Sequence, residues 1–257
     1  VEATGRLLEA RALEAEFDGF RALDRVDFAL DAGELVGIAG TNGAGKSTLF
    51  GALAGQVRLS GGTVRFAGRE IGREPPHRRA RAGLARTFQV PREFARLSVL
   101  ENLLAAAPNP RHETLFAAWF GRAAAARHDA QLAMRADELL ELTRLSRVRD
   151  EPAASLSGGQ KKLLELARAL MGSPRCILLD EPFAGVNPVL IGQLIEVLRA
   201  IRKRGIAMVV IEHHLQALRA LVDRLIVMDQ GRVIAEGEPT GVLEDPRVAE
   251  AYMGGVI

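Results

Sequence analysis

Residues 35–48 read LVGIAGTNGAGKST, and this stretch decides the fold. Its first five residues form an apolar run that is typical of a buried strand, and a helical pattern starts at Lys46. The residues from Gly40 to Ser47 fit the pattern G-x-x-x-x-G-K-[ST]. A glycine-rich loop between a strand and a helix is the context in which this pattern binds phosphate. We therefore predict a phosphate-binding loop rather than an ordinary glycine-rich turn.

The predicted loop has the chemistry to hold ATP and a magnesium ion. Glycines let main-chain N–H groups approach phosphate oxygens, and the helix N-terminus adds partial positive charge. Lys46 is placed to reach the β- and γ-phosphates, and the Ser47 hydroxyl is placed to bind Mg²⁺. The candidate ATP-binding residues of the loop are Asn42, Gly43, Ala44, Gly45, Lys46, Ser47 and Thr48.

A second segment, residues 176–181, reads CILLDE and places two carboxylates after an apolar strand. Ligands of α/β sheets bind at the carboxyl ends of the strands, where Asp180 and Glu181 come. Asp180 is a candidate Mg²⁺ ligand, and Glu181 is placed to orient and deprotonate an attacking water. An acidic turn after a strand explains the segment equally well when it is taken alone. Beside a phosphate loop, the catalytic interpretation is favoured.

A third segment, residues 156–160, reads LSGGQ and opens a helix that continues to Leu170. A serine and two glycines at a helix start form an anion site, although a plain serine N-cap also fits. Two phosphate-binding helix starts thus lie far apart in one chain. One nucleotide cannot easily use both.

The composition excludes several classes of protein. The 34 basic and 32 acidic residues leave a net charge of only +2, so the chain is not a polybasic nucleic-acid binder and nucleic acid is not an expected partner. One cysteine, Cys176, excludes an internal disulfide framework. No apolar run reaches the roughly 20 residues that span a bilayer, so we expect a soluble protein that reaches a membrane only through a partner.

Hydrophobic patterning divides the chain into three parts. Short strand-like runs lead to Ile38, helical spacing dominates from about Leu97 to Leu170, and the last third alternates strand and helix. This alternation predicts an α/β fold with a parallel sheet. The strand at residues 61–66 is expected to close a small antiparallel layer. The basic cluster HRRAR at residues 77–81 is interpreted as a solvated face.

The LSGGQ segment is similar to the signature of ABC-type ATPases, and the order of elements resembles that family along nearly the whole chain. The resemblance implies a P-loop NTPase (RecA-like) fold, with a parallel core sheet, an antiparallel β layer and an inserted α-helical subdomain. It implies that residues 1–257 form one nucleotide-binding domain. Residues 1–90 and 170–257 would form the catalytic core, and about 91–169 the helical subdomain that carries the signature.

The same resemblance assigns further site residues. It implies a head-to-tail dimer with ATP between the loop of one subunit and the signature of the other. Phe17 resembles the aromatic residue that stacks on adenine, and Gln89 the glutamine that senses Mg²⁺ and the attacking water. His213 resembles the switch histidine that contacts the γ-phosphate, although His214 follows it directly. The signature residues expected to contact ATP are Ser157, Gly158, Gly159 and Gln160.

Four segments resemble the ATP-binding subunits of branched-chain (hydrophobic) amino acid importers. They are GLARTFQ at 83–89, SVLENL at 98–103, AGVNP at 184–188 and DPRVAEAYMG at 245–254. Urea and short-amide importers share most of these marks, and a soluble non-transport ABC ATPase is a further alternative. The expected partners are a second ATPase subunit (identical or a paralogue), two transmembrane permease subunits and, indirectly, a solute-binding protein. The expected location is the cytoplasmic face of the cell membrane.

Overall fold

The computed structural model describes residues 5–87, 93–108 and 122–254. These residues fall into two compact units. One comprises residues 5–87, 174–184 and 188–254, and the other comprises 93–108, 122–173 and 185–187. The predicted assignment of all 257 residues to one nucleotide-binding domain stays a prediction.

The first unit contains all ten described strands and six helices, and the second unit contains three helices. The strands are β1 (Arg6–Phe17), β2 (Phe20–Asp31), β3 (Leu35–Gly40), β4 (Gly61–Phe66), β5 (Arg69–Glu70), β6 (Leu84–Arg86), β7 (Cys176–Asp180), β8 (Ala207–Ile211), β9 (Arg224–Asp229) and β10 (Arg232–Gly237). The helices are α1 (Lys46–Ala54), α2 (Pro76–Arg81), α3 (Val99–Ala106), α4 (Arg122–Leu142), α5 (Gly158–Met171), α6 (Pro188–Lys203), α7 (Leu215–Leu221), α8 (Pro239–Leu243) and α9 (Pro246–Gly254).

A six-stranded sheet positions the phosphate loop and the two carboxylates. Its strand order is β10-β9-β3-β8-β7-β6, in which β10 pairs antiparallel and the other five strands run parallel. Every residue of β3, β7 and β8 is buried, as expected for the interior of a parallel sheet. The carboxyl ends of these three strands therefore meet at one edge, and the segments after Gly40, Asp180 and Ile211 begin there.

A second, antiparallel sheet of order β2-β1-β4-β5 confirms the predicted β layer. Leu8, Leu13 and Leu23 of this sheet belong to one buried apolar cluster with Leu49 and Phe50 of α1. The helix that follows the phosphate loop is thus fixed by core packing. Together the two sheets confirm the α/β fold class.

The basic cluster at residues 77–81 corrects one sequence interpretation. Arg79 of α2 is almost fully buried, and its guanidinium donates to the carbonyl oxygens of Ala52 and Leu53, each at 2.7 Å. It also donates to the carbonyl oxygens of Glu74 and Gly72, each at 2.9 Å. Because helix C-termini leave carbonyls unpaired, this side chain satisfies the end of α1. The solvated-face interpretation is wrong for Arg79.

The second unit is built from α3, α4 and α5. Ser98 and Glu101 form a reciprocal capping box at the start of α3. The buried side chain of Asn102 donates to the carbonyl oxygens of Phe94 and Ser98 and accepts from the Phe94 N–H at 2.9 Å. Among the described residues, no helix combines the length and apolar character needed to cross a membrane.

Candidate nucleotide site

The phosphate loop adopts a backbone that glycine alone accommodates at two points. Gly40 and Gly45 have φ angles of +145° and +96°. A Cβ atom on Gly40 would lie 2.2 Å from the Met228 carbonyl oxygen, and one on Gly45 would lie 2.6 Å from that of Ala22. The loop is therefore packed against its neighbours as well as turned sharply.

Lys46 lies inside the loop that precedes it. Its Nζ donates to the carbonyl oxygens of Gly40 at 2.8 Å and Thr41 at 2.7 Å, and the residue is only 6% exposed. Burial lowers the pKa of Lys46, while the negative charges of Glu181 and Asp180 oppose that shift. These charges act on the ammonium group, so the structure brings the loop lysine and both predicted carboxylates into one site.

The remaining predicted loop residues differ in their exposure to solvent. Asn42, Gly43 and Ser47 are exposed, whereas Ala44 is buried. Thr48 is half-buried in the first turn of α1. The exposed backbone of the loop is open to a ligand from solvent.

Asp180 ends β7 with a buried carboxylate that has a cationic partner. Its Oδ2 accepts from Nη2 of Arg86 at 2.7 Å, and the residue is 7% exposed. Arg86 lies on the neighbouring strand β6, paired with Leu178. Sequence reasoning missed Arg86 because the two residues are 94 positions apart and only the sheet register brings them together.

Glu181 has a strained main chain and a histidine partner. Its φ angle is +47°, and its N–H donates to the Ile211 carbonyl oxygen at 3.0 Å. Its Oε1 lies 3.1 Å from Nε2 of His213. The His214 ring is engaged elsewhere, since its Nδ1 accepts the N–H of Ala217 at 3.1 Å and caps α7. The two adjacent histidines thus have different contacts, and His213 is the one that lies at the carboxylate.

Glu212 is a buried carboxylate at this site that the sequence did not single out. It accepts the N–H of Phe183 at 2.6 Å and the N–H of His213 at 3.1 Å. Burial raises the pKa of Glu212, and hydrogen bonds from the N–H groups of Phe183, His214 and His213 oppose the shift. No sequence pattern marks a glutamate that directly follows a buried strand as an acceptor of main-chain hydrogen bonds.

Phe17, the predicted adenine-stacking residue, lies at the hairpin that joins β1 and β2. Phe17 is 48% exposed at the end of β1, where it pairs across the hairpin with the exposed Phe20. Its ring is therefore available for stacking rather than committed to the core. Gln89 lies outside the described residues.

The signature segment forms an N-cap in the second unit. The Ser157 Oγ accepts the N–H of Gln160 at 3.3 Å, and the Gln160 Oε1 accepts the N–H of Ser157 at 2.9 Å. The N-cap interpretation is therefore confirmed for Ser157. A hydroxyl that accepts one bond still carries a proton to donate, so capping leaves it able to bind an anion. Ser157 and Gly158 are exposed, and Gly159 is buried.

The few oxygen ligands at this site suit Mg²⁺ better than they suit a metal ion that is coordinated by protein side chains alone. Among the described residues, no group of three or more His, Cys, Asp or Glu side chains is placed to hold a metal ion. A hydroxyl from Ser47 and a carboxylate from Asp180 are hard oxygen donors. Mg²⁺ commonly takes one or two protein ligands and completes its shell with water and substrate phosphates.

Comparison with known proteins gives two family matches. Residues 23–184 match the family model described as "ABC transporter". Residues 232–256 match the model described as "Branched-chain amino acid ATP-binding cassette transporter".

Individual relatives match over nearly their full lengths. The chain is 38% identical over 249 residues to a probable branched-chain amino acid transport ATP-binding protein LivG of Archaeoglobus fulgidus, covering 97% of this chain and 96% of that one. It is 35% identical to the lipopolysaccharide export system ATP-binding protein LptB of Escherichia coli K12, covering 96% and 97%. A crystal structure of the ADP conformation of MJ1267, an ATP-binding cassette of an ABC transporter, superimposes with a TM-score of 0.82 at 33% identity, covering 97% and 99%.

Proposed function

Because this chain belongs to the family of ABC transporter ATPases, we propose that it drives the import of branched-chain or other hydrophobic amino acids. The observation that carries this assignment is the match of residues 232–256 to the branched-chain amino acid cassette model. That region comprises β10, α8 and α9, and it lies outside the segment shared with ABC transporters in general. The LivG relative supports the same solute class.

Export of an amphiphile is the second candidate function. The similarity to LptB, at 35% identity over 96% of this chain, is close to the similarity to LivG. The name of that relative concerns lipopolysaccharide export. A urea or short-amide importer and a soluble ATPase are further alternatives. The uptake experiment described below separates them from an amino acid importer.

In the proposed reaction, Lys46 and the loop N–H groups bind the β- and γ-phosphates of ATP. Glu181 accepts a proton from water as the water oxygen bonds to the γ-phosphorus. The bond from that phosphorus to the β–γ bridging oxygen breaks, and ADP and phosphate are released. The Glu181–His213 contact of 3.1 Å supports a role for His213 in orienting this carboxylate.

Asp180 and Ser47, with Gln89, are proposed to hold Mg²⁺. When bound, the ion would neutralise charge on the phosphate oxygens. The proposed role of Phe17 is to stack on adenine, which its exposed ring supports.

The proposed assembly is a dimer of ATPase subunits on two transmembrane permease subunits, supplied by a solute-binding protein. Ser157, Gly158, Gly159 and Gln160 of one subunit would contact the ATP held by the other. The exposed Ser157 and Gly158 support this arrangement. The chain would lie on the inner face of the membrane through its permease partners, with no role for nucleic acid.

Uptake in a strain that lacks this gene tests the proposal. The strain is complemented with the parent chain, with Glu181→Gln, or with Glu244→Gln, an exposed carboxylate in the same unit as the control. We expect the parent and the control to restore uptake of labelled leucine and Glu181→Gln to fail. Restored urea uptake without leucine uptake would contradict the amino acid assignment. Restored transport of lipopolysaccharide to the cell surface would favour the second candidate.

A further inference from the structure

The carboxylate of Glu212 occupies an unusual place beside the catalytic cluster. It follows β8 directly, and the residue is only 3% exposed. Its hydrogen-bond partners, among the residues that the structure describes, are main-chain N–H groups rather than cationic side chains. Burying a carboxylate is unfavourable unless several donors compensate for the lost water.

These N–H groups come from two separate segments. Phe183 lies two residues after Glu181, in the turn that leaves β7, and its N–H bond of 2.6 Å is short. His213 lies immediately after Glu212, and its N–H is 3.1 Å away. One carboxylate therefore bonds both the segment that carries the general base and the segment that carries the histidine.

The contacts form a closed ring. Glu212 binds the turn that contains Phe183, this turn carries Glu181, and the Glu181 carboxylate contacts His213 at 3.1 Å. The Glu212 side chain then accepts the His213 N–H and closes the ring. Within the ring, Glu181 has a φ angle of +47°, a conformation that persists only where the surroundings hold it.

We propose that Glu212 is a positioning residue that fixes the Glu181 carboxylate and the His213 imidazole relative to each other for hydrolysis. The inference rests on the proposed roles of these two residues. In this role Glu212 would act without touching the nucleotide or the attacking water. Its two carboxylate oxygens each accept an N–H group from a different main-chain segment. A side chain with one acceptor oxygen could hold only one of these two segments.

Kinetics of Glu212→Gln in the full chain test this role. Glutamine keeps the size but turns one acceptor oxygen into an N–H₂ donor that faces a main-chain N–H. We expect kcat for ATP to fall about 10- to 100-fold, the cost of misplacing catalytic groups by about 1 Å. The KM for ATP and the Kd for ADP should stay within about twofold, because the phosphate loop is unchanged.

Glu34→Gln is the matched control. Glu34 is a partly buried carboxylate that precedes β3, at the opposite end of the sheet from the phosphate loop, and it pairs with Arg224 at 2.8 Å. This variant should lower the thermal midpoint without changing kcat. An unchanged kcat in Glu212→Gln, or a loss of nucleotide affinity equal to the loss of kcat, would overturn the proposal.

Amide hydrogen exchange gives a readout that is independent of hydrolysis. In Glu212→Ala, the N–H of Phe183 and that of His213 should exchange faster, while amides within β3 keep their protection. If the parent chain fails to hydrolyse ATP, the proposed function fails. Hydrogen exchange still tests whether the Glu212 carboxylate holds the N–H groups of Phe183 and His213. If Glu212→Gln does not fold, Glu212→Asp replaces it, and failure of both to fold would assign Glu212 to stability alone.

Discussion

At the scale of single residues, the two histidines after β8 differ in what their rings contact. The His213 ring faces the Glu181 carboxylate, whereas the His214 ring caps α7 by accepting an N–H. The sequence favours His213 only through the family resemblance, because the two histidines are adjacent. The structure distinguishes the two residues, because the His213 ring lies next to a carboxylate and the His214 ring caps the start of a helix.

Alanine substitutions at these histidines should therefore separate catalysis from stability. We expect His213→Ala to lower kcat about 10- to 100-fold with little effect on unfolding, because the Glu181 carboxylate loses the partner that orients it. We expect His214→Ala to lower the free energy of unfolding by about 1 kcal/mol through loss of an N-cap and to leave kcat within about threefold. Steady-state ATPase assays and urea denaturation measure both. The reverse pattern would show that His214 is the catalytic partner.

Lys46 supports a second prediction at this scale. Lys46→Ala removes a buried charge that we propose binds phosphate, so the Kd for ATP should rise about 10- to 100-fold, as expected for a charged hydrogen-bond donor worth about 1.5–3 kcal/mol. Lys203→Ala, at the exposed end of α6, is the control and should bind ATP like the parent. Isothermal titration calorimetry measures the affinities. Equal ATP affinity in all three proteins would contradict the assigned role of Lys46.

Sequence motifs predicted the candidate catalytic and binding residues but not the residues that contact and position them. Lys46 and Glu181 lie inside recognisable patterns. Arg86 and Glu212 do not, because each acts on atoms from a distant part of the chain: Arg86 on Asp180, 94 residues away, and Glu212 on Phe183, 29 residues away. Such pairs depend on strand order, which a single sequence does not contain. Arg79 was misinterpreted for the same reason.

At the scale of elements, hydrophobic patterning located most boundaries within two residues. The strand expected over 35–39 spans Leu35–Gly40, and the helix expected to begin at Lys46 spans Lys46–Ala54. Continuous apolar runs with clear turns on both sides made these elements predictable. The three residues of β6 form no such run, and only pairing with β7 makes them a strand.

Glycine substitutions should have opposite effects in two elements. Gly40→Ala should destabilise the fold by more than about 2 kcal/mol, because its Cβ would lie 2.2 Å from a carbonyl oxygen at a φ of +145°. Gly192→Ala, within α6 and with open space around its Cβ, should stabilise by about 0.5–1 kcal/mol. Denaturant midpoints of the two variants and the parent test this. A Gly40→Ala variant as stable as the parent would contradict the packed geometry of the loop.

At the scale of the whole molecule, the proposed ATP site combines two anion-binding helix starts from two copies of the chain. The phosphate loop belongs to the first unit and the signature helix α5 to the second. We proposed that ATP lies between the loop of one subunit and the signature of its partner. Glu181→Gln should favour this dimer because ATP binds without being hydrolysed.

Cross-linking in the presence of ATP tests this central claim most directly. Cys176 is buried, so cysteines introduced at the exposed positions Asn42 and Gly158 are the reactive ones. Asn42→Cys and Gly158→Cys are made separately in the Glu181→Gln background and mixed under oxidising conditions. We predict an ATP-dependent product of twice 27.7 kDa from the mixture and none from either protein alone. Absence of that product with ATP bound, or an equal product from Asn42→Cys alone, would contradict the head-to-tail nucleotide sandwich.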